Sequence, residues 1–242
     1  MENLLKQDLV NFEILDTKEN LLQVVLLPNQ TLYTEPSHII YCSENLAIRN
    51  ILPPWYKRIF NNYPGLQIRL RNRKGGVEYV GLSKSKDKII AVNPNIFDDS
   101  FIVNKNSILA FTSGVKIHVA SVACPWLKYV QFREFKGNGL VFLQFKEGLI
   151  EKKLGVDEEF NVIRSNLVAF SKGVKISGST VYKAPLLQIT QDPCLVKLKG
   201  PGWVYFGSST EYLPMQAYKS KNPWFDFLCI LTIITLILIG II

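Results

Sequence analysis

The chain has 242 residues, 48% of them hydrophobic, and a formal net charge of +8 at pH 7. This length can bury a sizeable core. The cysteines lack C-x-x-C spacing, and the chain contains no G-x-S-x-G, H-E-x-x-H or EF-hand motif, so the sequence predicts no disulfide framework, metal, cofactor or catalytic site. The cysteines are Cys42, Cys124, Cys194 and Cys229.

The amino-terminal extension, residues 1–20, mixes acidic and basic residues without a long apolar run. It is typical of neither a secretory signal nor a mitochondrial transit peptide. From Leu21 to Phe206 no stretch keeps the i, i+3, i+4, i+7 spacing of an amphipathic helix over several turns. The sequence therefore predicts an all-β body over residues 21–209.

The positive charge is concentrated between Arg49 and Lys88, where ten basic residues face two acidic ones, a local excess of 10 − 2 = +8. Within this stretch, "QIRLRNR" predicts a strand with Arg69, Arg71 and Arg73 on one face. Such a face is either a solvated strand surface or a basic surface that contacts anionic lipid headgroups.

An aromatic and basic segment, "LPPWYKRIF", precedes that strand. Trp55 and Tyr56 stand beside Lys57 and Arg58, a mixture expected at a headgroup boundary. These four residues and the three arginines are therefore the predicted lipid or partner contacts. Nucleic acid is not predicted as a partner, because no recognised binding motif accompanies the charge.

Two stretches of the body are nearly the same: "ILAFTSGVKI" at 108–117 and "LVAFSKGVKI" at 167–176, offset by 170 − 111 = 59 residues. A second pair, "GNGLVFLQF" at 137–145 and "GPGWVYFGS" at 200–208, has an offset of 200 − 137 = 63. Internal repeats of this kind are supersecondary units that bury their apolar faces against each other. The sequence predicts a pseudo-symmetric β-sandwich built from two units, at approximately 98–145 and 157–208.

Each repeat also predicts local features. The glycine pairs Gly137/Gly139 and Gly200/Gly202 are expected to form structural turns, because glycine adopts positive φ without strain. Phe111 and Phe170 are expected to be equivalent core residues. Outward positions are expected for Lys116 and Lys175.

The carboxyl terminus differs in kind, because residues 227–242 read "FLCILTIITLILIGII" after a polar linker at 210–223. Counted from Trp224, the segment would be about 28 Å long as a helix, close to the roughly 30 Å hydrocarbon core of a bilayer. The alternative is a buried core helix. We predict a transmembrane tail anchor at 224–242, with Lys219, Lys221, Trp224 and Phe225 at the membrane interface and the β body on the cytosolic side.

The repeated "LVAF…GV" units, the run "GLVFLQFKEGLIEKKLGVDEEFNVIRSNLVAF" and the closing "LKGPGWVYFGSS" resemble the AIM24 family, named for altered inheritance of mitochondria. The resemblance implies a β-sandwich-like fold of the tryptophan-RNA-binding-attenuator-protein type and a homotrimer. It also implies a role in mitochondrial inner-membrane architecture without known catalysis. This chain departs from the family in lacking a clear transit peptide and in its apolar tail. Its segment at 49–74 also replaces a usually glycine-rich stretch.

These observations favour a non-enzymatic, tail-anchored scaffold that oligomerises and organises partners at an intracellular membrane, in mitochondria by resemblance and in the endoplasmic reticulum as the alternative. The second hypothesis is a module that binds anionic lipid or a small ligand. The third is an enzyme whose site the sequence does not reveal.

Overall fold

The computed structural model describes residues 10–15, 20–51, 67–73, 75–84, 88–97, 100–120, 132–145, 148–163, 166–181 and 194–207. Within these ranges the chain forms strands joined by turns and short 3-10 segments. The 3-10 segments are Pro36–His38, Pro94–Phe97 and Lys105–Ser107. The strands, in chain order, are β1 (Asn11–Leu15), β2 (Leu21–Leu26), β3 (Thr31–Thr34), β4 (Ile39–Cys42), β5 (Leu46–Ile51), β6 (Gln67–Asn72), β7 (Glu78–Leu82), β8 (Lys88–Val92), β9 (Phe101–Asn104), β10 (Ile108–Thr112), β11 (Val115–Val119), β12 (Phe132–Gly137), β13 (Val141–Phe145), β14 (Ile150–Leu154), β15 (Glu159–Ile163), β16 (Leu167–Ser171), β17 (Lys175–Val181), β18 (Cys194–Lys199) and β19 (Gly202–Phe206).

Burial along the strands follows the side-chain period of two. In β2 every second residue, Leu22, Val24 and Leu26, is fully buried, and the residues between them are half-buried. In β13 all five residues are buried, which matches its apolar sequence "VFLQF" and its interior position. The all-β body that the sequence predicts is confirmed.

The strands form four antiparallel sheets. A four-stranded sheet has the order β1-β2-β7-β4, and a three-stranded sheet has the order β15-β18-β17. Between them in the chain are two six-stranded sheets, β5-β6-β3-β10-β13-β8 and β11-β12-β9-β16-β19-β14.

The same six-strand arrangement occurs three times. We call the copies unit 1 (β2–β7), unit 2 (β8–β13) and unit 3 (β14–β19). In each unit the first, sixth and third strands form one half-sheet, and the fourth, fifth and second strands form another. The second half-sheet of one unit joins the first half-sheet of the next through a single strand pair, β3 with β10 and β9 with β16. We call these two pairings the internal seams.

A β-bulge at the same place in each unit supports this equivalence. The register between the third and sixth strands shifts between Ile39 and Tyr41, between Ile108 and Ala110, and between Leu167 and Ala169. A bulge places two residues opposite one and is a specific local feature. Its threefold recurrence makes Cys42 in β4 the counterpart of Phe111 and Phe170.

Three hydrophobic clusters follow the units along the chain. The first joins the two half-sheets of unit 1 and also takes Leu109 and Phe142 from unit 2. The second is centred on unit 2 and takes Ala169 and Tyr205 from unit 3, and the third is centred on unit 3 and takes Phe132 from unit 2. Each seam is therefore held by shared core residues as well as by backbone hydrogen bonds.

The prediction of two related units is wrong in number, because the strand order shows three. Unit 1 escapes notice because its counterpart of "ILAFTSGVKI" is "IIYCSENLAI" at 39–48, where only the bulge and a few apolar positions agree. The equivalent residues of the three units are therefore unevenly spaced along the chain, by 111 − 42 = 69 residues and by 170 − 111 = 59 residues.

The prediction of a transmembrane helix as part of the fold is also corrected. The residues that the structure describes include no helix long and apolar enough to cross a membrane. The longest described strand, Lys175–Val181, has seven residues, whereas a spanning helix needs roughly 20 consecutive apolar residues. The predicted anchor at 224–242 and linker at 210–223 lie outside the described residues.

Candidate functional site

Strand β6 carries the basic residues that the sequence singled out. Ile68 and Leu70 are buried in the first cluster, whereas Arg69 and Arg71 are half-buried and belong to the opposite face. Arg73 follows directly after the strand and is exposed. The alternation arises because successive side chains of a strand point to opposite faces.

A fourth arginine belongs to this surface and was not among the predicted contacts. Arg49 of β5 is the direct antiparallel partner of Arg69, so the two side chains are on the same face of the sheet. We call Arg49, Arg69, Arg71 and Arg73 the arginine face. The basic stretch starting at Arg49 was a signal in the sequence, but the register across residues 52–66 could not be read from it.

Polar contacts on the arginine face are few. Nη2 of Arg71 donates a hydrogen bond to Oδ1 of Asn29 at 3.3 Å. Its Nε is buried and has no hydrogen-bond partner. Among the described residues, none of the four guanidinium groups forms an ion pair with a carboxylate. The sequence from 49 to 77 contains no Asp or Glu.

Unit 2 carries a carboxylate at the position of Arg69. Its counterpart there is Glu134, which lies 2.9 Å from Nζ of Lys136 and accepts a hydrogen bond from Ser100 at 2.6 Å. Burial acts to raise the pKa of Glu134, but the hydrogen bonds from Ser100 and Lys136 outweigh it and lower the pKa. In unit 2, Glu134 therefore offsets the charge of Lys136.

Unit 3 has ion pairs of the same kind on this face. Lys199, the counterpart of Arg71, lies 2.8 Å from Oδ1 of Asp157, and Lys197 forms an ion pair with Glu159. The hydrogen bond from Lys199 lowers the pKa of Asp157, and the same bond raises the pKa of Lys199. Among the described residues, only the face of unit 1 has no carboxylate paired with its basic residues.

The remaining predicted contact residues lie outside the described residues. They are Trp55, Tyr56, Lys57 and Arg58 of the aromatic segment and Lys219, Lys221, Trp224 and Phe225 of the membrane interface.

The predicted glycine turns are placed between strands. Gly137 (φ 104°) and Gly202 (φ 148°) adopt positive φ, which side chains rarely tolerate. At Gly139 a Cβ would lie 2.5 Å from Oγ1 of Thr112, and at Gly200 a Cβ would clash with the carbonyl oxygen of Gly155. These glycines allow the turns of units 2 and 3 to close, which is a structural role.

The seam between units 1 and 2 holds a buried histidine. Nδ1 of His38 donates a hydrogen bond to the carbonyl oxygen of Leu109, 3.2 Å away, and burial lowers the pKa of His38. A small cavity nearby, lined in part by Glu35, Lys105 and Arg133, has room for about one water molecule. No group of three or more His, Cys, Asp or Glu within the described ranges could hold a metal ion.

The two ends of the chain of units form a second candidate surface. Strand β4 lies at the edge of its sheet and β15 at the edge of another, and the two do not pair with each other. Ile40 in the β4 bulge is 62% exposed, whereas its counterparts Leu109 and Val168 are 1% and 6% exposed. In units 2 and 3, residues of the preceding unit cover the bulge position. In unit 1, the described residues leave this position exposed.

Over the described residues, these features define an all-β protein of three serial units, with β4 and β15 at sheet edges and an arginine face that has no carboxylate partner. The chain belongs to the AIM24 family: the family model described as "Mitochondrial biogenesis AIM24" matches residues 12–209. No curated protein matches the sequence.

One solved structure with a similar fold is the X-ray crystal structure of protein SPYM3_0169 from Streptococcus pyogenes. The two chains are 14% identical, with a TM-score of 0.66. The similarity covers 83% of this chain and 94% of the bacterial one. At this identity the comparison shows a shared fold.

Proposed function

We propose that the protein is a non-enzymatic scaffold in mitochondrial biogenesis whose three-unit bodies assemble head to tail into a closed homo-oligomer. The mitochondrial context is supported by the description of the family to which the chain belongs. A homotrimer is the form that the family resemblance implies. Such a scaffold organises partners through its assembled surface and uses no cofactor.

The unpaired strands at the two ends carry this proposal. Each internal seam joins the third strand of one unit to the second strand of the preceding unit. Strand β4 is a third strand without a preceding unit, and β15 is a second strand without a following unit. The two free edges are the two halves of one further seam.

The internal seams also fix the register of that seam. Phe111 is the partner of Tyr33, and Phe170 is the partner of Ile102. If the seam between protomers has the same register, Cys42 of one protomer pairs with Asn161 of the next. A contact between two different surfaces closes into a ring or extends into a filament, and a closed ring pairs every β4 edge with a β15 edge.

A disulfide cross-link tests this register. Cys42 is exposed and free, so Asn161→Cys in the full chain, with the other three cysteines changed to serine, creates one candidate pair. Directly paired antiparallel residues have Cα atoms about 4.5 to 5.5 Å apart, within disulfide range. We expect mild oxidation to give covalent oligomers ending at the trimer on a non-reducing gel.

Two control variants test whether the cross-link depends on this register and on Cys42. Glu159→Cys in the same background is two residues out of register and should cross-link at a much lower yield. Cys42→Ser with Asn161→Cys should give no ladder. A disulfide within one chain, together with a monomeric mass by light scattering, would show that the seam closes inside the molecule and would contradict the scaffold.

Binding of anionic lipid or a small anionic ligand is a second candidate function. One observation favours it: the arginine face of unit 1 has no carboxylate partner among the described residues, while the equivalent faces of units 2 and 3 do. Arginine guanidinium groups are well suited to bind phosphate. Sedimentation with vesicles that contain anionic lipid tests this candidate, and no binding above that to neutral vesicles would contradict it.

A further inference from the structure

We propose that the arginine face recognises phosphomonoester headgroups on a bilayer surface. This inference rests on the second candidate function, anionic-lipid binding, and names the headgroup chemistry. It concerns Arg49, Arg69, Arg71 and Arg73.

The spacing of the four side chains is the first argument. Arg69, Arg71 and Arg73 recur every second residue, so neighbouring side chains along the strand are about 6.6 Å apart. Arg49 lies directly across from Arg69, at an antiparallel Cα distance of about 5 Å. The result is a flat, closely spaced set of guanidinium groups on a sheet face.

The absence of a counter-charge is the second argument. Like charges directly opposite on neighbouring strands destabilise a sheet. Units 2 and 3 also place two lysines opposite each other, but one lysine of each pair, Lys136 or Lys199, has a carboxylate partner. Unit 1 keeps Arg49 opposite Arg69 with no acidic residue anywhere from 49 to 77. A bound anion would neutralise the pair.

The unsatisfied donor on Arg71 is the third argument. Its Nη2 is held by Asn29, which fixes the guanidinium group, while its buried Nε has no partner. A buried donor without an acceptor is costly, and a ligand oxygen would relieve that cost. The face therefore offers pre-oriented donors as well as charge.

These features select a phosphomonoester. The Arg49–Arg69 pair carries two positive charges, and a phosphomonoester supplies nearly two negative charges and three acceptor oxygens near pH 7. A phosphodiester supplies one negative charge and cannot neutralise both groups. Guanidinium forks bind phosphate oxygens in bidentate geometry. Because these arginines lie along a sheet face, a plane of headgroups can reach several of them at once, whereas a small ligand generally needs a pocket.

The test is co-sedimentation of the full chain with three kinds of vesicle. They are phosphatidylcholine alone, phosphatidylcholine with phosphatidylserine, and phosphatidylcholine with phosphatidic acid, the last two adjusted to equal surface potential. We expect phosphatidic acid vesicles to bind at least fivefold more tightly than phosphatidylserine vesicles. Arg49→Gln with Arg69→Gln should remove that preference.

A matched control separates this site from net charge. Lys116 and Lys136 are directly opposite on β11 and β12, and Lys136 is paired with Glu134. Lys116→Gln with Lys136→Gln removes the same charge and should change binding by less than twofold. The single variant Arg49→Gln changes an exposed side chain and should keep the fold. We expect it to lose part of the preference for phosphatidic acid vesicles.

Three other results would overturn the inference. Equal binding to both anionic vesicles, with equal losses in the arginine and lysine variants, would leave anionic-lipid binding standing but remove the phosphomonoester site. No binding to either anionic vesicle would remove both. Full competition by micromolar glycerol phosphate would assign the site to a soluble ligand instead of a bilayer.

Discussion

Unit 1 and unit 3 have the same strand order and the same bulge, but their surfaces differ in two ways. In unit 3 the bulge residue Val168 is covered by unit 2, and Lys199 is paired with Asp157. In unit 1 the bulge residue Ile40 is exposed, and Arg71 has no carboxylate partner among the described residues. The same strand arrangement therefore presents different surfaces, depending on its side chains and on the neighbouring unit.

The largest expected effect concerns the core position shared by the units. Phe111 stacks on Tyr33 with ring centroids 5.0 Å apart and is 4% exposed, and Phe170 is 2% exposed. Phe111→Ala and Phe170→Ala should each lower the free energy of unfolding by about 3 to 5 kcal/mol. Their counterpart Cys42 is exposed, so Cys42→Ala should cost about 0.5 kcal/mol or less.

Chemical denaturation of the full chain measures these values, and two lysines provide the surface reference. Lys116 and Lys175 are exposed on the same repeated segments. Lys116→Ala and Lys175→Ala should change stability by about 0.5 kcal/mol or less. The opposite pattern, with stable phenylalanine variants and impaired partner capture in the lysine variants, would make the repeats a binding face instead of a core.

The next effect separates a covered bulge from an open one. Leu109→Ala empties a site in the core that units 1 and 2 share and should cost about 2 to 5 kcal/mol by chemical denaturation. Ile40→Ala changes the equivalent exposed residue and should leave unfolding of dilute protomers unchanged. If the proposed seam forms, the same change should weaken assembly by light scattering. An Ile40→Ala variant that is as destabilised as Leu109→Ala would show that unit 1 is covered within its own chain.

The smallest effect concerns charge pairing and depends on pH. Because Lys199 holds the pKa of Asp157 below its ordinary value, the folded state binds this proton more weakly than the unfolded state. The stabilisation is therefore present above about pH 4, the unfolded pKa, and is lost as the pH falls through the lower folded pKa. Asp157→Asn should flatten the fall of the unfolding midpoint between about pH 5 and pH 2.

Arg71→Gln, at the equivalent position of unit 1, is the control for that titration. No described carboxylate is paired with Arg71, so Arg71→Gln should leave the fall of the unfolding midpoint at low pH unchanged. Asparagine also tolerates the positive φ of 60° at residue 157, so the substitution keeps the turn. If the unfolding midpoint falls equally at low pH in the Asp157→Asn variant and in the unmodified chain, this ion pair does not contribute to the pH dependence of stability.

Much of the local structure was readable in the sequence. The alternation in "QIRLRNR" placed Arg69 and Arg71 on one face, and the repeat "LVAF" marked Phe170 as interior, as the structure has them. These inferences succeed because a strand alternates sides at every residue. Unit 1 was missed because its counterpart of Phe111 is Cys42, so the repeated sequence is lost while the backbone pattern is kept.

The sequence alone determined the all-β class, the faces of individual strands and the family, because these depend on spacing between near neighbours and on local motifs. Only the tertiary structure decided that the units number three, that Arg49 faces Arg69, and that β4 and β15 are left at sheet edges. These features depend on the register between strands far apart in the chain. A shift of one residue reverses every side chain, and only packing of whole sheets fixes it.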